Sequence, residues 1–88
     1  MRKITFTPES YADYLNWLET DRKIFLKITE LIREAARTPG KGLGKPESLK
    51  HELKGYWSRR INHEHRLVYS VSENAHHRLL NQRYAGLL

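Results

Sequence analysis

Two runs with a period of two, residues 56–62 (YWSRRIN) and 65–72 (HRLVYSVS), are separated only by His63 and Glu64. Strand side chains alternate between faces, and two such runs this close in sequence pair as an antiparallel hairpin with a tight turn. Trp57, Arg59 and Ile61 then share one face, and Tyr56, Ser58 and Arg60 the other. Upstream the period changes. Residues 2–6 (RKITF) alternate as a short first strand with Ile4 and Phe6 on one side. Thr7-Pro8 starts a helix, a hydroxyl cap followed by proline at the first helical position. Tyr11, Tyr14, Leu15 and Leu18 follow at helical spacing, with Asp13 and Glu19 facing outward. Thr20-Asp21 caps a second helix whose stripe is Ile24, Ile28, Leu31, Ile32 and Ala35. The two helices are expected to pack as a hairpin with Trp17 in the core. Nothing polar converges on the aromatics, so they are read as packing.

Thr38-Pro39-Gly40 ends the second helix, and KGLGKPE continues as an irregular stretch. Its glycines lack Walker or dinucleotide spacing, so they are read as allowing close turns rather than cradling phosphate. Helices first and antiparallel strands later predict an α+β fold, one domain over residues 1–88.

A chain of 88 residues leaves ~40% of its unfolded-chain surface exposed, so a second copy or a bound partner would add useful burial. No run approaches the ~20 apolar residues of a membrane span, and MRKITFTPES lacks the apolar core of a signal peptide. The cytoplasm is the expected compartment. The absence of cysteine excludes disulfides and thiolate metal sites. Charge is unevenly spread. Residues 1–40 carry seven Lys/Arg against six Asp/Glu, and residues 41–88 carry nine against four. A positive field concentrated in one half favours a polyanion such as RNA or DNA, or an acidic partner segment; a basic surface kept for solubility is the plain alternative. No recognition helix for DNA is evident.

Between Lys45 and Arg66 the sequence gathers Glu47, Lys50, His51, Arg59, Arg60, His63, Glu64, His65 and Arg66 around two aromatics. RNA cleavage without metal needs a base for the 2′-hydroxyl proton, cations for the charge on phosphorus, and an acid for the leaving 5′-oxygen. A carboxylate among Lys and Arg suits the base, and paired arginines hold phosphate oxygens with planar forks. Composition alone makes this a weak signal, since surface hairpins often carry such pairs.

The wording of the segment is more specific. GKGLGKPESLKHELKGYWSRRINHEHRLVYSV closely resembles the core of the YoeB/Txe toxins within the RelE superfamily of toxin–antitoxin systems, and ESYADYLNWLETDRKIFLKITELIREAARTPGKG agrees with their N-terminal half. The likeness runs from residue 1 to about residue 75. It implies a microbial-RNase-like fold, two helices against a small twisted antiparallel sheet, in a toxin that often dimerises. It also implies ribosome-dependent mRNA cleavage, with no metal or cofactor, and a cognate antitoxin that covers or distorts the site. By matching position, Glu47 resembles the family's general base. Lys50, Arg60 and Arg66 resemble its phosphate-binding and charge-stabilising cations, and Glu64 a second acid, one that orients arginine. Arg59 points away from Arg60 and is assigned to RNA or the partner. Trp57 is read as core. His51, His63 and His65 are read as exposed or structural, although histidine chemistry suits an acid.

The resemblance breaks in residues 76–88. The family closes on an apolar strand with a His-Tyr pair whose histidine is the candidate acid, whereas this stretch reads HHRLLNQRYAGLL. Tyr84 is its one tail residue of related type. A single-base slip upstream of residue 76 would explain the change, because shifted His codons can encode Ile; natural divergence is the alternative. Arg78 and Asn81 fall where a strand would bury alternate side chains, so residues beyond about 75 are expected to pair poorly. The expected outcome is a weakened endoribonuclease or, as the alternative, a silent module that binds ribosome or antitoxin.

Overall fold

The computed structural model describes residues 2–71 and 76–83, the last eight by their backbone alone. The chain order is β1 (Lys3–Phe6), α1 (Pro8–Thr20), α2 (Arg22–Arg37), β2 (Glu47–Ser48), a short 3-10 turn (His51–Leu53), β3 (Tyr56–Arg60), β4 (His65–Val71) and β5 (His76–Arg83). Both helix starts form as the sequence predicts. Thr7 Oγ1 accepts from the Ser10 amide at 3.1 Å while Ser10 Oγ accepts from the Thr7 amide at 3.0 Å, a reciprocal cap. Asp21 caps α2 by accepting from the Ile24 amide at 3.2 Å.

Helix α2 carries the core. Ile28, Leu31, Ile32 and Ala35 pack against Ile61, Leu67 and Tyr69, with Phe6, Tyr14, Trp17, Ile24, Trp57 and Val71 half-buried around them. Hydrophobic burial therefore fixes which face of the β3–β4 hairpin meets the helices: the odd-numbered residues, as the alternation predicts. Helix α1 contributes less than its spacing suggests. Tyr14 and Trp17 turn inward, the former stacked on Phe25 with ring centroids 4.6 Å apart, whereas Tyr11, Leu15 and Leu18 are exposed.

The sheet has five strands in the order β1-β5-β4-β3-β2. The expected antiparallel sheet is formed by β5-β4-β3-β2, and one parallel pair is added to it, β1 with β5 from Lys3↔His76 to Phe6↔Leu79. One expectation is corrected, because the backbone of residues 76–83 does not fray: β5 is an interior strand, paired with β1 on one side and with β4 on the other, from Val71↔His77 to His65↔Arg83. Ladder bonds are made by main-chain groups, so an altered set of side chains does not by itself forfeit them. Tyr84 and the side chains of residues 76–83 lie outside the described residues.

Candidate functional site

The glycine-rich connection from α2 delivers β2 to the edge of the sheet, where Glu47 faces Ser58 and Ser48 faces Trp57. Glu47 therefore falls on the even-numbered face of β3, away from the helices. That face also carries Arg60, directly opposite Arg66 of β4. Like charges in direct cross-strand register destabilise a sheet. Here the Glu47 carboxylate lies on the same face and offsets part of that repulsion.

Glu47 and Arg66 meet across this face, with Glu47 Oε1 4.0 Å from Arg66 Nη1. The carboxylate is largely open to solvent, its side chain 63% exposed, while the arginine side chain is 11% exposed. So loose and wet a pair adds little stability. It leaves the carboxylate open to solvent, with a largely buried cation beside it. Lys50 is exposed just beyond β2 and Arg60 is exposed on β3, so both are accessible to phosphate.

Glu64 sits in the β3–β4 turn, where Asn62 Oδ1 accepts from the amides of Glu64 at 2.9 Å and His65 at 2.8 Å. Its carboxylate lies 3.8 Å from His65 Nε2, an ion pair only when the imidazole is protonated. Glu64 thus addresses His65 rather than an arginine among the described residues. His65 is itself held edge-on against Trp17, ring centroids 5.1 Å apart. His51 and His63 are exposed, and no cluster of metal-ligating groups occurs among the described residues.

Arg59 departs from its sequence assignment. It is wholly buried on the helix side of β3, so it is not a phosphate contact. Its Nε donates to Tyr69 Oη at 3.0 Å, its Nη1 to the Leu43 carbonyl at 2.8 Å, and its Nη2 to the carbonyls of Thr38 at 2.5 Å and Lys41 at 2.8 Å. Tyr69 in turn donates to the Pro39 carbonyl at 2.5 Å. Burial pushes the Tyr69 phenol above the ordinary 10.0, with the hydrogen bond and charge of Arg59 pulling the other way. Sequence reasoning missed this network. The available signal was Tyr69 itself, a phenol on the core face of a strand, which needs a partner when buried.

The family described as YoeB-like toxin of bacterial type II toxin-antitoxin system matches residues 6–85. Toxin YoeB of Escherichia coli (strain K12) is 56% identical over 73 residues, 83% of this chain and 87% of that protein. Among solved structures, a YoeB/ParE toxin from Agrobacterium tumefaciens superposes with a TM-score of 0.88 at 46% identity, covering 93% of this chain and 98% of that one. A chain of the heterotetrameric YoeB-YefM toxin-antitoxin complex from Staphylococcus aureus gives 0.84 at 46% identity, over 96% and 97%.

Proposed function

Since the chain belongs to the YoeB-like toxins of bacterial type II toxin–antitoxin systems, we propose that it is a metal-independent endoribonuclease acting on mRNA in the ribosome. The supporting observation is the Glu47–Arg66 pair, set at 4.0 Å on the face of the sheet away from the helices. In this reading Glu47 takes the proton from a 2′-hydroxyl as its oxygen attacks the adjacent phosphorus. Arg66, with Arg60 and Lys50, neutralises the charge that builds on the phosphoryl oxygens. The 5′-oxygen leaves with a proton from an acid. Glu64 acts by orienting His65. A cognate antitoxin silences the toxin by covering or distorting this face, and a second copy of the chain supplies burial that so small a domain lacks. In this reading the protein acts where ribosomes translate, in the cytoplasm.

Primer extension on a translated message tests the reading. The chain should introduce ribosome-dependent breaks that Glu47→Ala abolishes, and equal cleavage by that variant would remove Glu47 from the mechanism. The stretch HHRLLNQRYAGLL, with no His-Tyr pair, favours a second reading, a module that occupies the ribosome or binds antitoxin without cutting. Replacing residues 76–88 by an apolar strand ending in His-Tyr discriminates the two. A general acid contributes ~10²–10⁴-fold, so the replacement should raise cleavage by about that factor with ribosome affinity unchanged. Equal rates before and after would mean the tail is no lesion and would turn attention to His65 as the acid.

A further inference from the structure

We propose that Arg59 is a positioning residue for Glu47, acting through Tyr69 and the loop between α2 and β2; the inference rests on Glu47 being the general base. A guanidinium has five N–H donors in a rigid fork. Four of those on Arg59 are bonded, one to Tyr69 and three to carbonyls of Thr38, Lys41 and Leu43. With Tyr69 on the Pro39 carbonyl, four hydrogen bonds from these two side chains bind this loop to the centre of the hairpin, and the Arg59–Tyr69 bond joins the two side chains to each other. None of Arg59's bonds goes to a carboxylate. A buried cation is expensive, and an apolar residue would pack the same face at less cost. What the arginine specifies is the path of a glycine-rich loop that otherwise has many conformations to lose.

The path leads to Glu47. One residue past Leu43, the Gly44 carbonyl accepts from the Arg60 amide at 2.8 Å. Gly44 holds φ +83°, and a Cβ there would stand 2.8 Å from Leu31 Cδ2 and 3.1 Å from Arg59 Cβ. Lys45 follows with φ 49°, and two residues later comes Glu47. The carboxylate's own side-chain tie, a solvent-exposed contact at 4.0 Å, is too weak to fix it. Its position comes from the backbone, and the backbone is clamped by Arg59.

The full-length chain carrying Tyr69→Phe tests this with a near-isosteric change, and Arg59→Lys, which keeps the charge but loses the fork, is the second variant. Each should lower the maximal rate on programmed ribosomes by about tenfold or more, as small misplacements do, with the half-saturating ribosome concentration within about twofold. In a Glu47→Ala background Tyr69→Phe should add nothing, since the group being aimed is gone. Amide exchange should quicken at Arg60 and at Leu49, whose amide donates to the Tyr56 carbonyl, and stay unchanged at Leu31. A full, multiplicative loss in the Glu47→Ala background overturns the positioning role and leaves the base reading standing. Undiminished cleavage by Glu47→Ala alone overturns the base reading and this inference with it. Should the parent chain not cleave, exchange decides: unaltered protection at Arg60 and Leu49 in both variants overturns the clamp.

Discussion

Arg59 and Arg60 are adjacent on β3, yet they have opposite surroundings. Arg59 lies wholly buried among carbonyl oxygens and a phenol, while Arg60 stands exposed across from Arg66. The pleat alone produces this contrast. One face of the hairpin spends a cation on the architecture of a loop. The other gathers Arg60 and Arg66 in direct register, with the Glu47 carboxylate beside them. Net charge is therefore a poor guide to a binding surface until each residue's face is known.

The sharpest way to break this contrast is to remove the buried member. Arg59→Ala takes a donor from three carbonyls and a phenol. Thr38 and Lys41 keep another, from the Lys41 amide and Thr38 Oγ1. The cost therefore falls on the Leu43 carbonyl, the phenol oxygen and the lost packing, at about 1–3 kcal/mol for each buried group left without its donor. A total near 4 kcal/mol takes much of the stability of a domain this size and should lower the melting temperature by roughly 20 °C. Thermal denaturation followed by circular dichroism reads it; an unchanged melting temperature would mean the network contributes nothing. The open face should behave in the reverse sense. Glu47→Ala and Arg66→Ala should each cut ribosome-stimulated cleavage by ~10²-fold or more. The melting temperature of Glu47→Ala should stay within a few degrees, because so exposed a carboxylate stabilises little.

Proton linkage sharpens the same comparison. The Tyr69 phenol is raised by burial above 10.0, against the opposing pull of Arg59. Folding then holds a proton that the unfolded chain releases, so Tyr69's contribution is fully present below pH 10.0 and is lost as pH rises through the folded value. Chemical denaturation between pH 8 and 11 should show stability falling above about pH 10, less steeply in Tyr69→Phe. Identical slopes would leave Tyr69 no part in the alkaline loss. The smallest effect concerns salt. RNA or ribosome affinity should fall with salt by about 0.7 logarithmic units per phosphate contact. Arg60→Gln should flatten that slope by one contact, whereas Arg59→Gln, at a temperature where it is folded, should leave the slope alone.

Much of this was legible in residues. Thr7-Pro8, Asp21 and the stripe from Ile24 to Ala35 define both helices by local rules, and the alternation around Trp57 assigned the faces of the hairpin correctly. Arg59 was placed on the right face and given the wrong role, because a buried and an exposed arginine are the same letter. Only the carbonyls of Thr38, Lys41 and Leu43, set by a loop without periodicity, distinguish them. Strand β2 went unread because two residues carry no period. The place of β5 was missed for another reason: its partner β1 lies at the far end of the chain, and no local pattern in residues 76–83 points to Lys3–Phe6. Glu47, Lys50, Arg60 and Arg66 came from a specific resemblance, and of these Glu47, Arg60 and Arg66 share one face of the sheet.

The parallel pairing of β1 with β5 also sets a timetable. Synthesis runs from the N-terminus, and β1 is made before any other element. Its one neighbour in the described sheet is β5, the last of the described strands to emerge. Until His76–Arg83 has left the ribosome, β1 and β4 both present unpaired edges, the state most open to wrong pairing. A protein proposed to arrest translation thus completes this sheet only once the ribosome has delivered its fifth strand.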